Sequence, residues 1–321
     1  MDDQVSSNVR VDRHVTIDNA ELQRLQRRLA LATMVIPFLG TIVALGLLLY
    51  RPITIVDVAL LVVMYSLTLL GVTAGFHRLF AHSAFQAKPA LRAALGILGS
   101  MAAQGTLVYW AATHRRHHHF SEGEGDPHSP YRIDGRELGF WEGLWHSHLG
   151  WMLNSKMTNT VRYAKDLIRD PVISRVNDLY YVWVALGLII PAVAGALLTQ
   201  SWYGGLTGLL WGGFVRLFLV HHVMWTSGST AHLFGFRPFE TGDHSTNNPV
   251  LAYANFGEAY HNNHHAFPYS ARFGLRWWQF DLGGWAILLF EKLGWASDVK
   301  VPAEDKIEAK KKGRGAAHST V

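Results

Sequence analysis

"ITIVDVALLVVMYSLTLLGVTAGFHRLFAH", residues 53–82, carries an apolar run into a pair of histidines. The run over 53–74 is long enough to cross a bilayer, since about 20 apolar residues of helix span the hydrocarbon core. His77 and His82 follow just beyond it. Working outward, "LALATMVIPFLGTIVALGLLLY" (29–50) precedes it across a very short "RP" turn, and the two predict a helical hairpin in the membrane. "LYYVWVALGLIIPAVAGALL" (179–198) and "WYGGLTGLLWGGFVRLFLVHHVMW" (202–225) predict a second hairpin. A fifth run, "PALRAALGILGSMAAQGTLVYWAA" (89–112), is weaker, because small residues, Arg92 and Gln104 dilute it.

Charge decides between four and five crossings. The net charge is +5, and basic residues gather at the ends: Arg10, Arg13, Arg24, Arg27 and Arg28, then Lys306, Lys310, Lys311, Lys312 and Arg314. With four spans both ends lie on one side, and the positive-inside bias makes that side cytosolic. A crossing at 89–112 would separate them. The expectation is therefore an all-α, four-span protein of two hairpins. A cytosolic segment (1–28) precedes the membrane domain (29–300), whose cytosolic cap comprises 75–178 and 226–300; a basic, disordered tail (301–321) follows. An integral, multi-pass location is expected, with a bacterial inner membrane as the setting.

Composition removes several function classes. Hydrophobic residues make up 49% of 321, more than an ordinary soluble domain of that length carries. There is no cysteine, which excludes disulfides, thiolate zinc sites and cysteine-ligated iron–sulfur clusters within the chain. No basic stripe interleaved with aromatics points to nucleic acid, and neither GxGxxG nor HExxH occurs. Some thirty polar and charged residues precede the first apolar run, unlike a secretory signal.

Histidine is the anomaly, at 18 residues. Three clusters stand out: His77 and His82 in "HRLFAH"; His114, His117 and His118 in "HRRHH"; His261, His264 and His265 in "HNNHH". His232 in "GSTAHLFG" follows the fourth span. In the four-span topology all nine share one membrane face. On a helix, residues i, i+3 and i+4 lie on one side, so each HxxHH triplet is expected to aim its imidazoles at one point. His77 and His82 are i, i+5, about 140° apart on an α-helix, and converge only if the helix ends or kinks between them. Nine imidazoles exceed the needs of one metal ion and suit two. Without metal, so many packed together would leave unpaired donors and repel when protonated. Single histidines elsewhere, His128, His221, His222 and His244 among them, read as ordinary surface or core residues. His146 and His148 in "WHSHLGW" are candidates for support around the ligands.

At these motifs the chain resembles the membrane fatty acid desaturases of the stearoyl-type, delta-9 family. The likeness covers about residues 30–300 and rests on "GFHRLFAH", "HRRHHHFSEGEGDPH", "HSHLGWML", "AHLFGFRPF", "GEAYHNNHHAFPYSARFGL" and "RWWQFDL". Three histidine boxes so spaced are specific to the desaturase and hydroxylase superfamily; "DPH", "GW" and the third-box context narrow it to the delta-9 branch.

The resemblance implies two iron ions (Fe2+/Fe3+), dioxygen as co-substrate and a bent tunnel for the acyl chain. By position, one iron would take His77, His82, His114, His118 and His265, and the other His117, His232, His261 and His264. Gln104 and Trp110 would line the bend, with Trp225 nearby. Asp126, Glu258 and Asp243 are candidates for orienting the rings. Lys156 in "GWMLNSK" is all that matches the Arg-Lys pair of the animal acyl-CoA enzymes, so acyl-CoA, acyl carrier protein and glycerolipid all stay open. Gly228 stands where the family usually has an Asn that holds a metal-bound water, and Ala259 replaces the Gly of "GEG". Electrons would come from an external protein such as a ferredoxin, a rubredoxin or cytochrome b5. The expected activity is oxygen-dependent insertion of a cis double bond, delta-9 first. A hydroxylase or other lipid desaturase of the superfamily is the alternative, and a non-enzymatic membrane metal-binding protein is a remote one.

Overall fold

The structure, a computed structural model, describes residues 15–153 and 156–316; Arg10 and Arg13 lie outside the described residues. Among the described residues four helices are long and apolar enough to cross a membrane: Ala20–Leu47, Ile55–Ala81, Tyr180–Thr199 and Trp202–Leu233. The first begins at Ala20, inside the segment expected to precede the membrane domain. The Asn19 side chain caps it by accepting from the Glu21 and Leu22 N–H groups, which satisfies donors that would otherwise be orphaned. The second starts at a reciprocal cap in which Thr54 and Asp57 each bond the other's backbone. Leu39, Ile42, Val62, Val193 and Leu197 stand exposed along the spans, as side chains solvated by lipid tails rather than by water.

The second hairpin closes through small residues. A Cβ built on Gly195 would lie 2.2 Å from the Gly204 carbonyl oxygen, and one on Gly208 would lie 2.3 Å from that of Pro191. The third and fourth spans therefore touch backbone to backbone, the usual basis of helix association where lipid removes the hydrophobic drive. Arg216, fully buried within the fourth span, donates to the carbonyls of Gly212, Met101 and Gly187 at 3.1, 2.6 and 2.6 Å. Those bonds satisfy its guanidinium and tie three elements together.

The run at 89–112 does not cross. It breaks into helices Pro89–Ser100 and Leu107–Phe120, with Gly105 between them at φ +98. Twelve residues of helix reach about 18 Å, well short of a hydrocarbon core of about 30 Å. The first of these helices packs against the second span, where a Cβ on Gly71 would sit 2.2 Å from the Gly99 nitrogen.

The cap is built from Leu107–Phe120, Phe140–His148, His261–Ala266 and Leu282–Lys292. Short antiparallel ribbons pin its loops: Thr16–Ile17 on Met157–Thr158, Gln86–Ala87 on Ala296–Ser297, and Arg132–Ile133 on Arg136–Glu137. The tail departs from the expected disorder, because Glu304–Ala316 is helical. Ile307 is buried with Phe239, Ala266 and Phe267, and Arg276 pairs with both Glu304 and Glu308.

Candidate metal centre

The C-terminal end of the second span sets the first pair of imidazoles. Gly71–Ala81 is π-helical rather than kinked or ended between the two histidines, and the His82 N–H bonds the His77 carbonyl at 3.1 Å. Bonding from i to i+5 takes one more residue into each turn, which brings His77 and His82 to a ring separation of 5.1 Å. The second box lies on the helix Leu107–Phe120 and the third on His261–Ala266.

Two groups of imidazole nitrogens result, each with its ligand atoms within 4.8 Å of one another: His77, His82, His114, His118 and His264; and His117, His232, His261 and His265. This corrects the division expected by position, which exchanged His264 and His265, and the expectation that each triplet aims at one point. Neighbours on a helix diverge by about 100°, whereas i and i+4 nearly align. So His114 pairs with His118 (rings 4.6 Å apart) and His261 with His265 (4.3 Å), while His117 and His264 turn to the opposite group. His264 Nε2 lies 2.8 Å from His118 Nε2 and 3.1 Å from His77 Nε2. Across the other group His261 Nε2 lies 2.9 Å from His232 Nε2 and His265 Nε2 lies 3.4 Å from His117 Nε2.

Carboxylates fix which nitrogen four of the rings present. His77 Nδ1 meets Glu258; His117 Nδ1 meets Asp126 at 3.0 Å, His232 Nδ1 meets Glu122 at 2.7 Å, and His265 Nδ1 meets Asp243 at 2.6 Å. With Nδ1–H donated outward, the Nε2 lone pairs face inward at each other, an arrangement that repels unless a cation sits among them. The donor set therefore fits two metal ions. Burial, reinforced by neighbouring rings, lowers the pKa of His114, His118, His261 and His264 well below the usual imidazole value, so they are neutral donors at neutral pH. Burial alone would raise the Asp126 and Asp243 carboxyls, but His117 and His265 respectively outweigh it and hold both below the ordinary range.

Glu122 is the carboxylate that sequence reasoning missed. It also accepts the His244 N–H at 2.9 Å, and its φ of +63 places it past the helix end. No spacing rule links it to His232. His128, read from sequence as ordinary, stacks on His117 at 4.3 Å. Its Nδ1 is buried without a hydrogen bond, 3.9 Å from Asp126 Oδ1, and a Cβ on Gly228 would lie 3.3 Å from that nitrogen. His148 bonds Ser229 Oγ at 2.9 Å and lies 3.1 Å from His222, away from both groups.

An apolar cavity of about 510 Å³ reaches four of these rings. Gln104, Trp110 and Trp225 line it, as do His77, His114, His117, His261 and Glu258. The Trp110 indole stacks on His114 at 5.2 Å and its Nε1 reaches Gln104 Oε1 at 3.4 Å. Lys156 lies outside it, paired with Asp134 on the wall of a polar chamber.

A family profile described as fatty acid desaturase matches residues 52–288. The chain is 47% identical over 298 residues to a hex-5-enoyl-acyl-carrier protein acetylenase of Moorena producens (strain JHB), covering 92% of this chain and 93% of that protein. It is 38% identical over 235 residues to an sn-1 stearoyl-lipid 9-desaturase of Anabaena variabilis, covering 72% and 79%. It is also 38% identical over 238 residues to an acyl-CoA C20 Delta5-desaturase of Anemone leveillei, covering 73% and 70%.

Proposed function

The chain belongs to the fatty acid desaturase family, and from that premise we propose an oxygen-dependent acyl dehydrogenase whose two imidazole sets each hold an iron ion. The observation that carries this reading is the inward convergence of nine imidazoles in two groups, four of whose rings, His77, His114, His117 and His261, line an apolar cavity. Bound iron would supply the oxidising power that an unactivated C–H bond demands and that no side chain has. Reduction of dioxygen to water takes four electrons, two from the substrate's C–H bonds and two from an external redox protein such as a ferredoxin, a rubredoxin or cytochrome b5.

The chain's own residues do the positioning. Trp110 and Gln104 form a wall beside His114 and His77 that holds two adjacent carbons at the rings. Glu258, Asp126, Glu122 and Asp243 keep the ligating rings in the tautomer that offers Nε2. The apolar walls keep bulk water from the reacting carbons. Insertion of a cis double bond, delta-9 first, into a saturated chain is the primary reading, and the cap, the ligands and both ends of the chain face the cytoplasm.

The 47% identity to an acetylenase favours a second reading, in which the same centre removes hydrogen from an existing alkene. Expression of the chain in a host unable to make unsaturated fatty acids, followed by mass spectrometry of its lipids and carrier-bound acyl groups, separates the two. An alkene from a saturated precursor supports the first reading and an alkyne from a supplied alkene the second. A hydroxylated product alone contradicts both.

A further inference from the structure

The two imidazole sets differ in the charge that backs them. In the set of five, only His77 meets a carboxylate among the described residues, and that carboxylate, Glu258, is itself faced by a cation. Arg78, fully buried, lies 2.9 Å from Asp281 Oδ1 and 3.4 Å from Glu258 Oε1. Its guanidinium sits over the Phe273 ring at 3.9 Å, and Phe273 in turn packs against His77 and His264 at 5.0 and 4.3 Å. Glu258, Asp281 and Arg78 together thus put one net negative charge behind five rings. Arg115, next to His114, is taken up by Asp166.

In the set of four, three rings are backed: His117 by Asp126, His232 by Glu122 and His265 by Asp243. Asp126 also accepts the Glu122 and His128 N–H groups at 2.7 and 3.0 Å, and Asp243 accepts from Ser121 Oγ at 2.9 Å and Thr241 Oγ1 at 2.6 Å. Glu122 takes the His244 N–H and the ring of that exposed histidine. Arg116, Arg237 and Lys310 lie close by, but they donate to the backbone carbonyls of Gly125, Asp243 and Ala266. Among the described residues no arginine or lysine pairs with any of the three carboxylates.

A carboxylate on Nδ1–H raises the basicity of the ring it holds, and buried charges are screened little by salt. Three such rings favour the more highly charged state of an ion, and one ring with Arg78 beside it does so far less. We propose that Asp126, Glu122 and Asp243 make the set of four the site of lower potential, the one that turns ferric first, while Arg78 keeps the set of five ferrous. Loss of one electron to ferricyanide, which becomes ferrocyanide, then leaves the ferric ion with His117, His232, His261 and His265. The second electron leaves the set of five at higher potential, and a reductant refills the two in reverse order. The proposal rests on the reading of both sets as iron sites.

The test uses the full chain in nanodiscs, loaded without oxygen with Mössbauer-active ferrous iron and titrated with ferricyanide in the presence of mediators. Two one-electron waves are expected, separated by about tenfold or more in equilibrium constant, which is about 59 mV. The half-oxidised protein should give equal ferric and ferrous Mössbauer signals. Asp243→Asn should raise the lower wave by about tenfold, again about 59 mV, and leave the upper one in place. Arg78→Gln should lower the upper wave and narrow the gap. Where Asp243→Asn lets an ion go, the wave that vanishes should be the lower. A single two-electron wave would overturn the proposal, as would a lower wave that Asp243→Asn leaves unmoved, or an upper wave that it shifts as much or removes. Failure of the underlying reading looks different: the unmodified chain retains no iron or a single ion, whereas coincident waves from two ions defeat only the asymmetry.

Discussion

His264 and His265 are adjacent in the chain yet serve opposite imidazole sets, and the difference is one residue of helical phase. Eight of the nine rings stood out by clustering, and the ninth, His232, by its place just past the fourth span. Their partition was not, because it depends on where the helices bearing "HRRHH" and "HNNHH" are rotated by their packing. Glu122 was illegible for a related reason: its partner His232 is 110 positions away and the contact exists only once the cap is closed. Removing that carboxylate while keeping its shape, Glu122→Gln, should lower iron affinity about 10–100-fold, measured as iron retained against graded chelator; unchanged retention would remove Glu122 from the support of His232. A pH effect follows from the buried rings. The pKa values of His82, His114, His118, His261 and His264 are pushed down by burial, so the unfolded chain binds more protons than the folded one below about pH 6.5. Their contribution is present above that pH and lost as pH falls through it. The metal-stripped protein should therefore show a melting temperature that drops from pH 7.5 to 5.5, while a flat profile would mean that these rings are open to water when metal is absent.

At the scale of elements, the second span shows what a purely α-helical reading misses. The spacing of His77 and His82 demanded a break, and the chain answered with π-turns that keep the backbone bonded while altering its phase. Nothing in "GVTAGFHRLFA" announces this, and the segment starts at Gly71, where the backbone of Pro89–Ser100 approaches at Gly99. Gly71→Ala forces a methyl group into backbone and should cost about 1–3 kcal/mol, seen as a lower melting temperature together with reduced iron. A variant that melts normally would show that this interface yields easily. The hairpin of the third and fourth spans was legible as length and hydropathy, but its tightness lies in Gly195, Gly204 and Gly208, whose roles depend on which faces meet.

For the whole molecule, hydropathy and the charge at the ends carried most of the architecture: four spans, two hairpins and a polar cap. The helical tail was missed because what holds it down is tertiary: Ile307 is buried with Phe239 and Phe267, and Arg276 pairs with Glu304 and Glu308. The absence of cysteine from the chain makes topology easy to map, since each introduced thiol is the only one present. Arg51→Cys, between the first two spans, should label from outside intact cells, and Arg136→Cys and Lys306→Cys only after permeabilisation; labelling of Arg51→Cys and Arg136→Cys from the same side would break the four-span topology.

The convergence of nine imidazoles into two metal sites is tested most directly by the iron content of the purified full chain, measured by mass spectrometry of the metal. About two iron ions per chain are expected, in keeping with two sets of four and five nitrogen donors. A chain that takes up no iron, or holds a single ion under iron-replete conditions, would contradict it.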